Sequence, residues 1–293
     1  MERPEVPVVD YSAYTNRQLV VVPLTLLAIA LVIISGTWML TGSPVHLGVD
    51  FTGGVETTIE ADATEQEVAA TFDPEPESVT GVIGEDNRYI VTFRADEGGG
   101  AEAQSEEIRG QAEAAGYDVL SIGDRSAAFG GDIQRQALIG VAVAFLGMSV
   151  LVALIFRSFV PSIAIVASAF SDIMIPLALM NLLGIELSLG TVAALLMLIG
   201  YSVDSDILLN NHILRRRGDF YESTHRAMTT GVTMTTTSIV AMAVMTVVAT
   251  VFQIPLLPAV GIVLVFGLCA DLMNTYLLNV TLLRYYKYEG VGR

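Results

Sequence analysis

The sequence predicts an α-helical polytopic membrane protein: six transmembrane helices, with one small α+β domain between the first two. Three observations point there. The chain is 53% hydrophobic, and its apolar residues gather in six long blocks. The stretch 41–135 breaks that pattern and carries most of the acids. The basic residues fall on one side of the resulting topology.

The blocks are Leu19–Leu40, Ala137–Phe156, Phe159–Leu183, Leu187–Leu209, Thr229–Val251 and Leu256–Leu283. About 20 apolar helical residues cross the ~30 Å hydrocarbon core, so each block is long enough to span it. The alternative, six buried core helices of a soluble protein, does not call for runs of this length. The first block is longer than the apolar region of a cleaved signal peptide. "TGSPVH" after it offers no small-x-small cleavage site, so it is expected to stay as an anchor.

Of 15 Lys and Arg, five lie in 45–135: Arg88, Arg94, Arg109, Arg125 and Arg135. The other ten are Arg3, Arg17, Arg157, Arg215, Arg216, Arg217, Arg226, Arg284, Lys287 and Arg293. The connections Gly184–Glu186 and Phe252–Pro255 have none. The positive-inside rule then puts both termini in the cytoplasm and the 45–135 segment outside. The expected organisation is a cytoplasmic N-terminus (1–18), helix 1 (19–40), an external domain (41–135), helices 2 to 6 (136–283) and a cytoplasmic C-terminus (284–293).

The external segment holds 20 of the 31 acids. Such a surface repels nucleic acid and anionic headgroups. Heavy acidic loading is also a strategy of salt-loving organisms; a composition bias without salt adaptation is the alternative. Cys269 has no second cysteine in the chain, which excludes an intrachain disulfide. It is expected to pack inside the sixth block.

Within the external domain "GGVETTIEAD" alternates like a strand. "ATEQEVAATF" opens a helix with Thr64 and Glu67 at capping-box spacing. "ESVTGVI" and "RYIVTFRA" read as strands around the turn "GEDN". "AEAQSEEIRGQAEAA" is helical and stops at Gly116, and "YDVLSIG" is a last strand. The order β-α-β-β-α-β predicts a ferredoxin-like split unit, with "RADEGGGAEA" as an internal loop. No His, Cys or acid cluster there has metal-ligand spacing. The domain reads as a binding or mechanical module.

Four acids fall inside the predicted spans: Asp172, Asp204, Asp206 and Asp271. A charged Asp at a helix centre costs roughly 2.5–3.5 kcal/mol on insertion scales, and none of the six blocks holds a Lys or Arg. Protonation, water, a cation or another subunit must therefore compensate. Asp172 and Asp271 lie near mid-helix. Asp204 and Asp206, about 200° apart around a helix, cannot share a face. The competing readings are interhelical hydrogen bonds for Asp172 and for Asp271 with Asn274, and interfacial water beside Asn210 and Asn211 for Asp206. Gly190, Ala193, Ala194, Gly200 and "TTGVTMTTTS" permit close helix contact.

These residues resemble a known family. "VDFTGG", with Asp50, Phe51, Thr52, Gly53 and Gly54 directly after helix 1, looks like the hallmark of the SecD/SecF protein-export family. "SDIMIPLALMNLLGIELSLGTVAALLMLIGYSVDSDILL" is similar to helices 3 and 4 of that family in order and spacing. Its "GYS", Gly200, Tyr201 and Ser202, favours the SecF branch over SecD. The resemblance implies one six-helix half of an RND-like assembly, partnered by SecD. It implies work with the SecY channel on a translocating polypeptide, with ion flow proposed to drive the outer domains. It implies neither a cofactor nor enzymatic chemistry.

This chain departs from the bacterial wording. Asp204 stands at the usual Asn, Ser205 at the usual Asp, Ser171 and Asp172 at the usual His-Asp, and Thr229 at the helix 5 Arg. The carboxylates persist without that cation. With the acidic composition, these variants imply an archaeal, halophilic member, whose carboxylates sit at a contact with SecD or couple to ion flow. Two other function classes stay open: a stand-alone RND-type small-molecule transporter acting as a homodimer, and a membrane enzyme. The scattered His46, His212 and His225 give no support to the latter.

Overall fold

The computed structural model describes residues 11, 13–82, 87–95, 100–125, 127–215, 220–252, 254 and 256–290. The expected turn at 84–86, the loop at 96–99, and Arg3, Arg216, Arg217 and Arg293 lie outside those residues.

Six long apolar helices stand where the six blocks were read. The first, α1 (Asn16–Thr41), starts with an N-terminal capping box: Thr15 Oγ1 accepts from Gln18 N, and the Gln18 side chain accepts from Thr15 N. It ends at Gly42, whose φ of 78° lies in the left-handed region that favours glycine. After the outer domain come α5 (Ala127–Phe156), α6 (Phe159–Leu183), α7 (Leu189–Arg215) and α8 (Phe220–Val251). The sixth span, read from sequence as one helix, is built in pieces. These are α9 (Leu257–Met273), a π-helical turn Asn274–Asn279, the short helix α10 (Val280–Tyr285) and a second π turn Tyr286–Gly290.

α6, α7 and α9 form the centre of the bundle, while α1, α5 and α8 flank it and turn large apolar side chains outward. Val240, Val244, Val247 and Val251 of α8 are exposed in this way, as suits a lipid-facing surface. Two apolar clusters fill the interior. One joins Ile165, Ala169, Ala194, Leu198, Val263 and Leu268. The other joins Leu209, Ile213, Phe220, Met228, Val280 and Leu283. Gly267 lets α9 lie on α7, because a Cβ there would meet Leu198 Cδ1 at 2.2 Å. Cys269, expected to pack inside, is exposed on α9. The face of α9 that enters the core carries Leu264, Gly267, Leu268 and Asp271 instead.

The outer domain runs α2 (Val49–Thr52), β1 (Gly54–Glu60), α3 (Glu65–Thr71), β2 (Ser78–Gly81), β3 (Arg88–Arg94), α4 (Ala101–Ala114) and β4 (Asp118–Arg125). Its sheet has the order β2-β3-β1-β4 with every neighbouring pair antiparallel, consistent with the ferredoxin-like split unit. β1 alternates as read: Val55, Thr57 and Ile59 are buried, Glu56 and Glu60 exposed. Phe72 and Phe93 meet edge to face at 5.1 Å within a core shared with Val68, Val91 and Ile108. The capping box at Thr64 and Glu67 is formed, and Gly116, at φ 81°, follows α4.

Candidate functional site

A polar layer crosses the bundle between the two apolar clusters. α6 supplies Asp172, α7 supplies Ser202, Ser205 and Asp206, and the sixth span supplies Asp271, Asn274, Thr275 and Asn279. Asp172 accepts from Ser202 Oγ at 2.6 Å and from Asn274 Nδ2 at 2.6 Å. Asp206 accepts at Oδ1 from Thr275 Oγ1 at 2.7 Å and from Asn279 Nδ2 at 2.8 Å. Asp271 lies 2.9 Å from Ser205 Oγ and 3.3 Å from Thr275 Oγ1.

Donors and acceptors in the layer do not match one to one. Thr275 has one hydroxyl proton and two carboxylates within reach. The Ser205 hydroxyl is likewise within reach of both Asp271 and the Ser202 carbonyl. Among the described residues, Asp206 Oδ2, Asn274 Oδ1, Asn279 Oδ1 and both side-chain polar atoms of Asn210 are buried without a hydrogen-bond partner. The buried Ser168 and Ser171 hydroxyls are unpartnered as well, so the layer leaves both donors and acceptors unmatched, and no described cation meets its carboxylates. No ion pair among the described residues reaches it; Arg88–Glu60, Arg94–Glu77 and Arg226–Glu222 all lie elsewhere. No group of three or more His, Cys, Asp or Glu among the described residues is arranged to hold a metal ion.

The structure treats the four acids unequally. Asp172, Asp206 and Asp271 are at most 1% exposed and share the layer. Asp204 is exposed on the opposite face of α7, as the 200° separation from Asp206 requires. Asp206 is not at interfacial water, one of the readings left open for it. Its face of α7 packs against the sixth span, and Asn210 one turn on is buried with it while Asn211 is exposed. Asp204 continues an outward stripe through Ala193, Met197 and Gly200. Gly190 instead packs near Val260, and Gly231 receives Tyr276. The hydroxyls Thr229, Thr233 and Thr237 are exposed on α8, each bonded to its own helix carbonyl four residues back.

Within "GYS", Ser202 donates to Asp172, the Tyr201 hydroxyl hydrogen-bonds Ser238 on α8, and Gly200 faces outward. The π turn was missed by the sequence reading, which saw only an apolar block. Its one visible signal was the spacing of Asn274, Thr275 and Asn279 after Asp271. Carboxyl partners at that spacing are brought toward one buried face by a wider turn, and such turns are frequent at functional sites.

"VDFTGG" has a different part. Gly53 adopts φ 73° and ψ 165°, a region open to glycine alone. Gly54 has φ 138°, and a Cβ on it would lie 2.0 Å from the Phe93 carbonyl of the neighbouring strand. A Cβ on Gly130 of α5 would meet the Phe51–Gly53 backbone at 2.8 Å. Phe51 is buried, and the Thr52 hydroxyl lies within donating reach of the Gly48 and Gly53 carbonyls. Asp50 Oδ2 accepts from Leu189 N, the first amide of α7, and so caps that helix from outside.

Beside this cap, Gly48 N donates to Leu187 O and Leu187 N to His46 O. Asn181 of α6 donates to Thr37 Oγ1 and Pro44 O. The motif thus ties the outer domain to the α6–α7 connection. Burial, followed by the nearby Glu77 and Glu56, pushes the Glu186 carboxyl on that connection above its usual range. Partial loss of water around the carboxyl, followed by the nearby Asp50, raises Glu56 in the same direction, although its side chain keeps an exposed face.

The family description "Protein export membrane protein SecD/SecF, C-terminal" matches residues 106–289, and "SecD/SecF GG Motif" matches residues 38–65. The protein-export membrane protein SecF of Haloferax volcanii is 67% identical over 288 residues, covering 98% of each chain. The chain belongs to the SecF family. The SecF protein of Haloquadratum walsbyi is 64% identical, again over 98% of each chain. Both organisms are halophilic archaea. The crystal structure of SecDF from Thermus thermophilus, described as a translocon-associated membrane protein, superposes with a TM-score of 0.76 at 19% identity. It covers 96% of this chain, while the chain spans 39% of that longer one. A SecDF structure in a super-membrane-facing form gives 0.62 at 20% identity. These two likenesses establish the fold, and the SecF relatives establish the family.

Proposed function

We propose that this chain is an accessory subunit of the Sec protein translocase. It works with SecD beside the SecY channel to promote export of a polypeptide across the cytoplasmic membrane, with both termini in the cytoplasm. In this reading the buried polar layer is the part that changes state, through proton or cation uptake. The observation that carries it is three carboxylates between two apolar clusters, met by hydroxyls and amides and by no described cation. Electrostatic interactions are strong in such a low dielectric, so gain or loss of one positive charge biases how α6, α7 and the sixth span pack. A layer built only for cohesion would have matched donors to acceptors.

The coupling part falls to Asp172, Asp206 and Asp271. Asp204, outward and at membrane depth without a described partner, falls to the contact with SecD. Sequence alone offered interfacial water as an alternative for Asp206 and none for Asp204; the buried contacts of Asp206 favour the opposite weighting. Single Asp→Asn changes test the division, read as export of a secreted reporter and as co-purification with SecD in mild detergent. Asn at 172, 206 or 271 is expected to slow export at least tenfold with SecD still bound; Asn at 204 is expected to weaken co-purification. Normal export in all three buried variants leaves a scaffold and ends the coupling reading. Co-isolation with a second copy in place of SecD ends the partner assignment. Impermeant labelling of cysteines placed at 100 and 218 in intact cells checks the orientation: 100 reacts, 218 does not.

A further inference from the structure

The segment before α1 reaches back to the polar layer. The Tyr11 hydroxyl donates to the Tyr276 carbonyl at 2.6 Å, inside the π turn, and Tyr11 itself is 3% exposed. Arg284, in α10 just beyond the π turn, donates through Nη1 to the carbonyls of Tyr11 at 2.8 Å and Tyr14 at 3.1 Å. The same short segment therefore grips the sixth span within its wide turn and again one residue before α10 ends. Tyr276 is fixed on a second side. Its hydroxyl occupies the space over Gly231 of α8, where a Cβ would lie 1.9 Å from it. Burial, and then Tyr276, hold the Tyr11 phenol far above its ordinary range, so it remains a donor at any physiological pH.

The π turn sets which side chains face the carboxylates. In it Asn274 reaches Asp172, Thr275 reaches Asp206 and Asp271, and Asn279 reaches Asp206. A relaxation by one residue into α-helical register would turn everything beyond it by about 100° about the axis. Asn279 would then leave Asp206, while Asp271, held upstream in α9, would stay. The π register has no cohesive reason of its own, since wide turns are rare and short. It persists where the surroundings hold it.

We propose that Tyr11, with Arg284, is a positioning residue for the carboxylate layer: the pre-α1 segment straps the π turn Asn274–Asn279 in the register that presents Asn274, Thr275 and Asn279 to Asp172, Asp206 and Asp271. The link to export rests on the function proposed above; the strap itself does not. It places a control point at the chain's N-terminal side, where a partner drawing the segment away would release the sixth span.

Hydrogen exchange of the purified full chain in nanodiscs reads the strap directly. Tyr11→Phe, which keeps the ring and removes the donor, is expected to speed exchange of amides 276–284 about five- to tenfold, the effect of one neutral hydrogen bond. α6 and the outer sheet should not change. Arg284→Gln should accelerate the same amides, and serves where Tyr11→Phe accumulates poorly. Tyr14→Phe, which alters an exposed ring and leaves its carbonyl, should change nothing. Infrared bands of the buried carboxyl groups separate positioning from simple anchoring. They should shift in Tyr11→Phe and Arg284→Gln, and stay in Tyr14→Phe. Unchanged exchange at 276–284 overturns the strap; faster exchange with unmoved carboxyl bands overturns the positioning role. Shifted bands with normal reporter export uphold the positioning and remove the coupling reading instead.

Discussion

Thr275→Val is the most economical probe of the polar layer. The side chain is 1% exposed, and Val replaces its hydroxyl by a methyl of similar size, so no cavity complicates the result. What is lost is one donor. Asp206 Oδ1 loses its 2.7 Å partner and keeps Asn279, with the Ser168 hydroxyl also beside the carboxylate. Asp271 keeps Ser205. Interhelical hydrogen bonds in membrane bundles average ~0.6 kcal/mol and reach ~1.7. Hydrogen bonds to charged groups in soluble proteins run ~1.5–3 kcal/mol. The Thr275 bond serves a fully buried carboxylate, so the upper end of the membrane range applies, about 1.5 kcal/mol, or roughly tenfold in the unfolding equilibrium. Thr275→Ser retains the hydroxyl and should lose less than half of that, through one buried methyl. The assay is unfolding of the purified chain in mixed micelles of rising denaturing-detergent content, with the two variants beside wild type. A Val variant as stable as wild type, or a Ser variant as unstable as Val, would show that the hydroxyl does not hold the carboxylates, and the layer's description would fail.

Other outcomes follow from the outer domain. Gly54→Ala forces a Cβ to 2.0 Å from the Phe93 carbonyl at a φ of 138°, so it should part β1 from β3 and cost more than the ~1–3 kcal/mol of a strained residue. Gly110→Ala, in the open interior of α4, should add about 0.5–1 kcal/mol instead; exchange of the Val55 and Val91 amides reads both. The raised Glu186 and Glu56 favour protons in the folded, docked state. Their contribution is therefore present at acid pH and is lost as pH rises through the folded values, so proteolysis of the 42–48 connection should slow as pH falls toward the ordinary carboxylate range. Glu186→Gln should flatten that profile; an unchanged slope refutes the assignment. The outer segment, with 20 acids against five bases, should also melt at steeply higher temperature between low and molar salt. A flat profile refutes self-repulsion as its main instability.

How much of this was legible in the sequence depends on the scale of the signal. The spans were readable because lipid imposes a length and a composition on every one of them, whatever the partners. The outer sheet was readable because Val55, Thr57 and Ile59 alternate, and because Thr64 with Glu67 closes a cap by local contacts alone. The opposite orientations of Asp204 and Asp206 also followed from local geometry, as 200° of helix. Which of the two faced inward did not, because that depends on where α9 packs, and Gly267 against Leu198 fixes it from 60 or more residues away. The π turn lay further still from reach. Its cause is a set of contacts from three elements distant in sequence: Asp172 on α6, Asp206 on α7 and Tyr11 before α1. An apolar block with two asparagines reads as helix under any local rule. Only when the carboxylates are seen converging does the reason for Asn274, Thr275 and Asn279 emerge. On α8 the Thr229 hydroxyl turns back to the His225 carbonyl and adds nothing to the layer. The donors that the layer does have come from the sixth span instead. A bundle that meets its carboxylates with hydroxyls and amides keeps them buried while making their contacts depend on the register of one helix. That dependence is why a strap at Tyr11 can act on acids it never touches.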